Sequence, residues 1–226
     1  MTVCLQGGGE FAPGCRVMDK ALIDAADGPI VVSALAGEPG RDYRTASENG
    51  VRHFRALGAS DVVAAPDVRD KPAEAVAILR TARLIVLPGG SPARLLTALN
   101  GTPVGQVLAD LLASGGSVMG ASAGAMVLCP WTVLPDRRGP YGMAVEQGLG
   151  LVPGILVVPH WSGGSSRADW LRAISNGVPD HLQVVGLAEE SGVVFEDGVL
   201  TAVGQHATAL VSDDRELAVG DSWTVS

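Results

Sequence analysis

Gly120-Ala121-Ser122-Ala123-Gly124 follows the strand-like Ser117-Val118-Met119 and runs into Ala125-Met126-Val127-Leu128, which is apolar and helix-prone. A serine between small residues, where a strand gives way to a helix, predicts a sharp turn that lifts a hydroxyl above the end of a sheet. Larger neighbours would collide in so tight a turn, and glycine tolerates the backbone angles it demands. A helix opening at Ala123 directs free N–H groups and the positive end of its dipole at the same point, which favours a developing oxyanion. Ser122 is therefore expected to be a nucleophile.

Upstream, short apolar runs bounded by Gly, Pro or Asp predict strands at Val3 to Gln6, Ile30 to Leu35, Val62 to Ala65, Leu84 to Leu87 and Val118 to Gly120. Helical spacing occupies the intervals, at Arg16 to Ala26, Ala46 to Leu57, Ala73 to Ala82 and Val104 to Ala113. The alternation predicts an α/β fold with right-handed crossovers and a doubly wound, mostly parallel sheet. Downstream the pattern changes to strand-like runs at Ile155 to Val158, Val184 to Leu187, Val193 to Phe195 and Leu200 to Val203, with one helix near Ala168 to Ile174. The C-terminal third is thus strand-rich. Glu196-Asp197-Gly198 signals a hairpin, and Asp213-Asp214 with Gly220-Asp221 a further turn-rich ribbon.

With 226 residues, 47% apolar and 18% charged, the chain suits a single α/β domain over 1–226. The net charge of -8 is spread without blocks, which argues for solubility and against nucleic acid as a partner. No run approaches the roughly 20 apolar residues of a membrane span, and Met1-Thr2-Val3-Cys4 lacks the features of a signal peptide, so a cytoplasmic location is expected. Cys4, Cys15 and Cys129 form neither a disulfide framework nor a metal-binding pattern and read as buried thiols. Gly7-Gly8-Gly9-Glu10-Phe11-Ala12 fits a loose dinucleotide fingerprint, but Pro13-Gly14 interrupts the helix it needs, and a glycine-rich loop on the active-site rim is simpler.

A serine nucleophile needs a base, and the candidates are His53, His160, His181 and His206. His53 falls within a predicted surface helix and reads as structural, and His181 reads as a solvated loop residue. His160 closes the run Ile155-Leu156-Val157-Val158-Pro159, at a strand end where active-site residues of open α/β sheets collect. Glu189, at the end of Gly186-Leu187-Ala188, is the expected acid partner, with Glu190 in reserve and Asp136 a further possibility. Ser122, Asp180 and His206 form the rival set. Leu87-Pro88-Gly89-Gly90 closes another strand, so the amides of Gly90 and Ala123 are the expected oxyanion donors. Gly89, Ser91 and Trp161 border the expected substrate site.

Five blocks in order carry a resemblance along most of the chain: Gln6-Gly7-Gly8-Gly9-Glu10, Leu87-Pro88-Gly89-Gly90, the Ser122 turn, Leu149-Gly150-Leu151-Val152-Pro153-Gly154 with Pro159-His160, and Gly186-Leu187-Ala188-Glu189-Glu190. In these the chain resembles the serine peptidase family of aspartyl dipeptidase (peptidase E) and cyanophycinase, on the class I glutamine amidotransferase-like fold. The resemblance implies a Ser-His-Glu triad, hydrolysis of short peptides at aspartyl residues without a cofactor, and a homodimer. Two departures bear on substrate. Ser91-Pro92 follows the glycine pair where cyanophycinases carry an acidic or polar residue and then Gln, and Trp161-Ser162-Gly163-Gly164-Ser165-Ser166-Arg167 lacks the paired arginines of many members. The rival readings are an esterase or amidase on a non-peptide substrate, and a non-catalytic binding protein on the same fold.

Overall fold

The computed structural model describes residues 1–225; Ser226, the last residue of the expected 1–226 domain, lies outside them. The first half alternates as the apolar pattern predicts, except for an added helix α4: β1 (Thr2–Gln6), α1 (Arg16–Ala26), β2 (Ile30–Val32), α2 (Arg41–Ala56), β3 (Val62–Ala64), α3 (Pro72–Leu79), β4 (Leu84–Leu87), α4 (Pro92–Asn100), α5 (Val104–Ala113), β5 (Ser117–Ala121) and α6 (Ala123–Leu128). There follow β6 (Trp131–Pro135), β7 (Met143–Gln147), β8 (Ile155–Val158), α7 (Ala168–Gly177), β9 (Gln183–Gly186), β10 (Ser191–Glu196), β11 (Val199–Gly204), β12 (Thr208–Leu210), β13 (Arg215–Leu217) and β14 (Ser222–Thr224).

The main sheet is 8-stranded in the order β14-β11-β10-β1-β5-β4-β2-β3. From β1 through β5, β4 and β2 to β3 every pairing is parallel, while β10, β11 and β14 extend the sheet antiparallel. Side chains of successive strand residues point to opposite faces. Val3, Leu5, Val31, Ile85, Leu87 and Val118 therefore join one apolar cluster with α3, α4 and α5, while Cys4, Ile30, Val32, Leu84, Val86 and Met119 join another with Leu22 of α1 and Phe54 of α2. Burial on both faces is why these strands read as unbroken apolar runs.

Several boundaries differ from the sequence reading. β2 ends at Val32, not Leu35: the Ser33 N–H still donates to the Val86 carbonyl, and the chain then turns, with the Gly37 N–H closing on the Ala34 carbonyl. α2 begins at Arg41, not Ala46; in its first turn only Tyr43 is buried, between exposed Arg41, Asp42 and Arg44, so little apolar pattern announces it. α4 was not anticipated, although Pro92 opens it and the Ser91 hydroxyl caps it by accepting the Arg94 N–H. The hairpin of β6 and β7 was also missed, because its strands are only partly buried and carry no long apolar run. The C-terminal strands divide between two sheets: β10 and β11 extend the main one, whereas β8 and β9 form a 4-stranded sheet in the order β13-β12-β9-β8. The β10–β11 hairpin turns at Asp197 and Gly198, both at positive φ (47° and 85°), as a tight two-residue connection requires. Val133, Leu156, Ala173, Ile174 and Val184 close a third apolar cluster that joins the β6–β7 hairpin, α7 and the second sheet.

His53 does not sit on the outer face of its helix. Only 9% exposed, it bonds through Nε2 to Oδ2 of the fully buried Asp19 at 2.7 Å, and Gln6 Nε2 donates to Asp19 Oδ1 at 2.6 Å. These paired polar groups tie the end of β1 to α1 and α2, directly behind the rim where the functional residues gather. Among the described residues no helix is long and apolar enough to cross a membrane.

Candidate active site

The strand-to-helix turn has the geometry its sequence predicts. Ser122 lies at φ 48°, ψ -106°, a strained position for a non-glycine residue. Its flanking glycines are required by contact. A Cβ on Gly120 would lie 2.5 Å from the Gly124 carbonyl carbon, and one on Gly124 would lie 2.4 Å from the Leu87 carbonyl oxygen. Strand, helix and the neighbouring strand thus approach more closely than any side chain at these positions would permit. The Ser122 N–H donates to the Gln6 carbonyl at 2.8 Å, fixing the turn to the end of β1.

His160 leaves β8 at φ 52°, again left-handed, and its Nε2 lies 2.8 Å from Ser122 Oγ. Its Nδ1 lies 2.5 Å from Glu189 Oε1, beyond the end of β9. For the serine hydroxyl to donate to Nε2, the ring proton must sit on Nδ1 and point at the carboxylate, the tautomer a general base needs. The His160 and Glu189 side chains are 42% and 54% exposed, so the pair faces solvent.

The segment that brings these residues together is Gly7-Gly8-Gly9, which the sequence reading placed only on the rim. The Gly7 carbonyl accepts the His160 N–H and the Gly8 carbonyl accepts the Glu190 N–H, both at 2.9 Å. With the Gln6 carbonyl on Ser122, one short stretch of backbone holds Ser122, His160 and the loop that bears Glu189. It can do so only without side chains. A Cβ on Gly7 would lie 2.2 Å from the Ala188 carbonyl oxygen, and one on Gly8 would lie 2.5 Å from His160 Nδ1 and 2.7 Å from Glu189 Oε2.

The remaining candidates separate. Glu190, the reserve acid, turns away and accepts the Gly14 N–H at 2.6 Å. Asp136 accepts the Arg138 N–H in the β6–β7 turn. The His206 backbone N–H donates to Ser191 Oγ in the link between β11 and β12, and Asp180 and His181 lie in the turn before β9. Gly89 packs against Ser122, since its Cβ would lie 3.2 Å from Ser122 Cβ. Gly90 is at φ 141°, and among the described residues neither its N–H nor that of Ala123 donates to a protein acceptor. The Ser91 hydroxyl is engaged as the α4 cap, and the Trp161 ring packs on Gly186, whose Cβ would lie 2.4 Å from Trp161 Cδ2. A cleft of about 740 Å³ lined by Tyr43, Arg44, Asp67 and Arg69 opens beyond β2 and β3 and contains none of Ser122, His160 and Glu189.

Comparison with known proteins gives the chain a family. The chain is 29% identical over 177 residues to a cyanophycinase of Nostoc sp. (strain PCC 7120), covering 74% of this chain and 58% of that one. To the cyanophycinase of Synechococcus elongatus it is 32% identical over 174 residues, covering 73% and 53%. The chain therefore spans a little over half the length of these curated relatives. A peptidase from an acI-B1 actinobacterium shares the fold with a TM-score of 0.81 at 24% identity, over 99% of this chain and 96% of that one. A Listeria monocytogenes EGD-e protein of the peptidase E type does so at 0.67 and 16%, over 90% and 98%. Residues 36–203, a span holding Gly90, Ser122, His160 and Glu189, match peptidase family S51, and the chain belongs to that family.

Proposed function

We propose that the chain is a serine-type peptidase acting as one hydrolytic domain on short peptides through a covalent acyl-enzyme. The observation that carries this reading is the unbroken line from Ser122 Oγ to His160 Nε2, 2.8 Å, and from His160 Nδ1 to Glu189 Oε1, 2.5 Å. His160 takes the Ser122 proton as the oxygen attacks the scissile carbonyl, and Glu189 stabilises the imidazolium that forms. The free N–H groups of Gly90 and Ala123 bind the oxyanion. The imidazolium then protonates the leaving amine. In the second half, His160 removes a proton from water, whose oxygen attacks the ester carbonyl and restores Ser122. Gly89, Ser91 and Trp161 border the substrate, with aspartyl peptides the first class to examine.

The test is hydrolysis of dipeptides beginning with Asp, Asn, Glu, Ala or Leu by the wild-type chain and by Ser122→Ala, with fluorophosphonate labelling alongside. Cleavage and labelling that both vanish in Ser122→Ala support the reading. Turnover of short acyl esters but of no peptide would make the protein an esterase. Failure of the wild-type chain to label or to cleave would leave a binding role.

A further inference from the structure

Glu10 stands beside the nucleophile with half of its carboxylate unused. Its Oε1 accepts the Gly89 N–H at 2.7 Å. A Cβ on Gly89 would lie 2.8 Å from that oxygen and 3.2 Å from Ser122 Cβ, so carboxylate, glycine and nucleophile are immediate neighbours. Among the described residues Oε2 accepts no protein hydrogen bond, and no lysine, arginine or histidine pairs with Glu10. The nearby Glu189 is engaged by His160.

The backbone holds Glu10 in this position against local preference. Gly9 and Phe11, on either side, lie at φ 64° and 68°, and a left-handed conformation at a bulky residue such as Phe11 is uncommon and strained. Packing over-determines it: the Phe11 ring lies 5.2 Å from the His53 ring and 6.3 Å from that of Phe54. His53 is in turn fixed by buried Asp19.

A negative charge next to the Gly89-Gly90 loop opposes the oxyanion that would develop there, and repulsion at such range is strong where water is displaced. A substrate that carries its own cation into this corner removes the opposition and gains a charge-assisted hydrogen bond. Resting on the peptidase reading, we propose that Glu10 is a specificity-determining residue that selects substrates bearing an ammonium group next to the scissile carbonyl. Two sources share this chemistry, the free α-amino group of an N-terminal residue and a basic side chain on the acyl residue.

The experiment measures second-order labelling of Ser122 by three phosphonate probes: diphenyl 1-aminoethylphosphonate, its N-acetyl derivative, and an N-acetyl derivative with an aminobutyl side chain. Wild type is compared with Glu10→Gln, which retains the oxygen that accepts from Gly89 and removes only the charge. In the wild type, one ammonium probe is expected to react at least about 10-fold faster than the neutral one, and Glu10→Gln to reduce that preference by about 10- to 100-fold. Whichever ammonium probe wins names the source of the cation. A wild-type preference near one overturns the inference, as does an equal fall for all three probes in Glu10→Gln, which would make Glu10 a support for the Gly89 loop. Simple fluorophosphonate is the control. If it fails to label the wild type, the peptidase reading falls; if it labels while the three probes react alike, this inference falls alone.

Discussion

Replacement of Gly8 by alanine tests the proposed active site while leaving Ser122, His160 and Glu189 chemically unchanged. The new Cβ would sit 2.5 Å from both Nδ1 and Cε1 of His160 and 2.7 Å from Glu189 Oε2. Ordinary contact begins near 3.4 Å. The backbone carrying Gly8 cannot retreat readily, because Gly8 accepts the Glu190 N–H and the adjacent Gly7 carbonyl accepts that of His160. The exposed imidazole must therefore move by about 1 Å, which breaks its alignment with Ser122; a misplacement of that size costs on the order of 100-fold in rate. Alanine at Gly8's φ of 144° adds strain of about 1–3 kcal/mol, so some loss of thermal stability accompanies the change. Fluorophosphonate labelling rate is the assay, measured well below the melting temperature, with circular dichroism to verify the fold. A folded Gly8→Ala protein that labels at the wild-type rate would refute the proposal that the glycine loop fixes the base.

Glu189→Gln is expected to lower kcat/KM by about 100- to 1,000-fold with little change in KM, because the amide can hold the ring but cannot stabilise its charge. The half-exposed setting of Glu189 places the effect below that of a fully buried acid. A fall of less than 10-fold would remove Glu189 from the proposed mechanism. Burial pushes the Cys15 and Cys129 thiols up to about 12, and Cys4 is also raised. The folded state therefore holds these protons where an unfolded chain, with thiols at 9.0, releases them. This contribution to stability is fully present below about pH 9 and is lost as pH rises toward 12. In urea titrations, wild type should weaken across that window more than a variant with all three cysteines replaced by serine or alanine, and Ellman's reagent should count no thiol in the native protein at pH 7.5. A thiol that reacts without denaturant would contradict the burial.

The alternation of apolar runs with helical segments was enough to specify the parallel half of the main sheet, because strands covered on both faces leave short unbroken apolar runs, set off by their length and by the Gly, Pro or Asp that bound them. α1, α5 and β8 appear within the boundaries read from sequence. The Ser122 turn was equally legible, since a serine among small residues at a strand-to-helix junction is a pattern a few residues long, although Gly124 answers also to Leu87, distant in the chain. Elements outside that alternation were not: α4 adds a second helix between β4 and β5, and the β6–β7 hairpin is half-exposed and leaves no long apolar signature.

Local sequence selected Ser122 as nucleophile and ranked His160 and Glu189 first as its partners, yet it could not state that the three meet. They lie just past the ends of β5, β8 and β9, strands of two different sheets, and their approach depends on how those sheets join. That juncture is the Gly7-Gly8-Gly9 backbone, whose role lies in carbonyl groups and in missing side chains. Neither leaves a chemical mark in the sequence beyond the glycines themselves. Glu10 was hidden for the same reason. A carboxylate in a loop reads as solvated until the fold sets it against Gly89 and Ser122. Periodicity and turn chemistry act over a few residues and are carried by the sequence alone; the meeting of residues far apart in the chain is decided only when long-range packing closes the sheets around them.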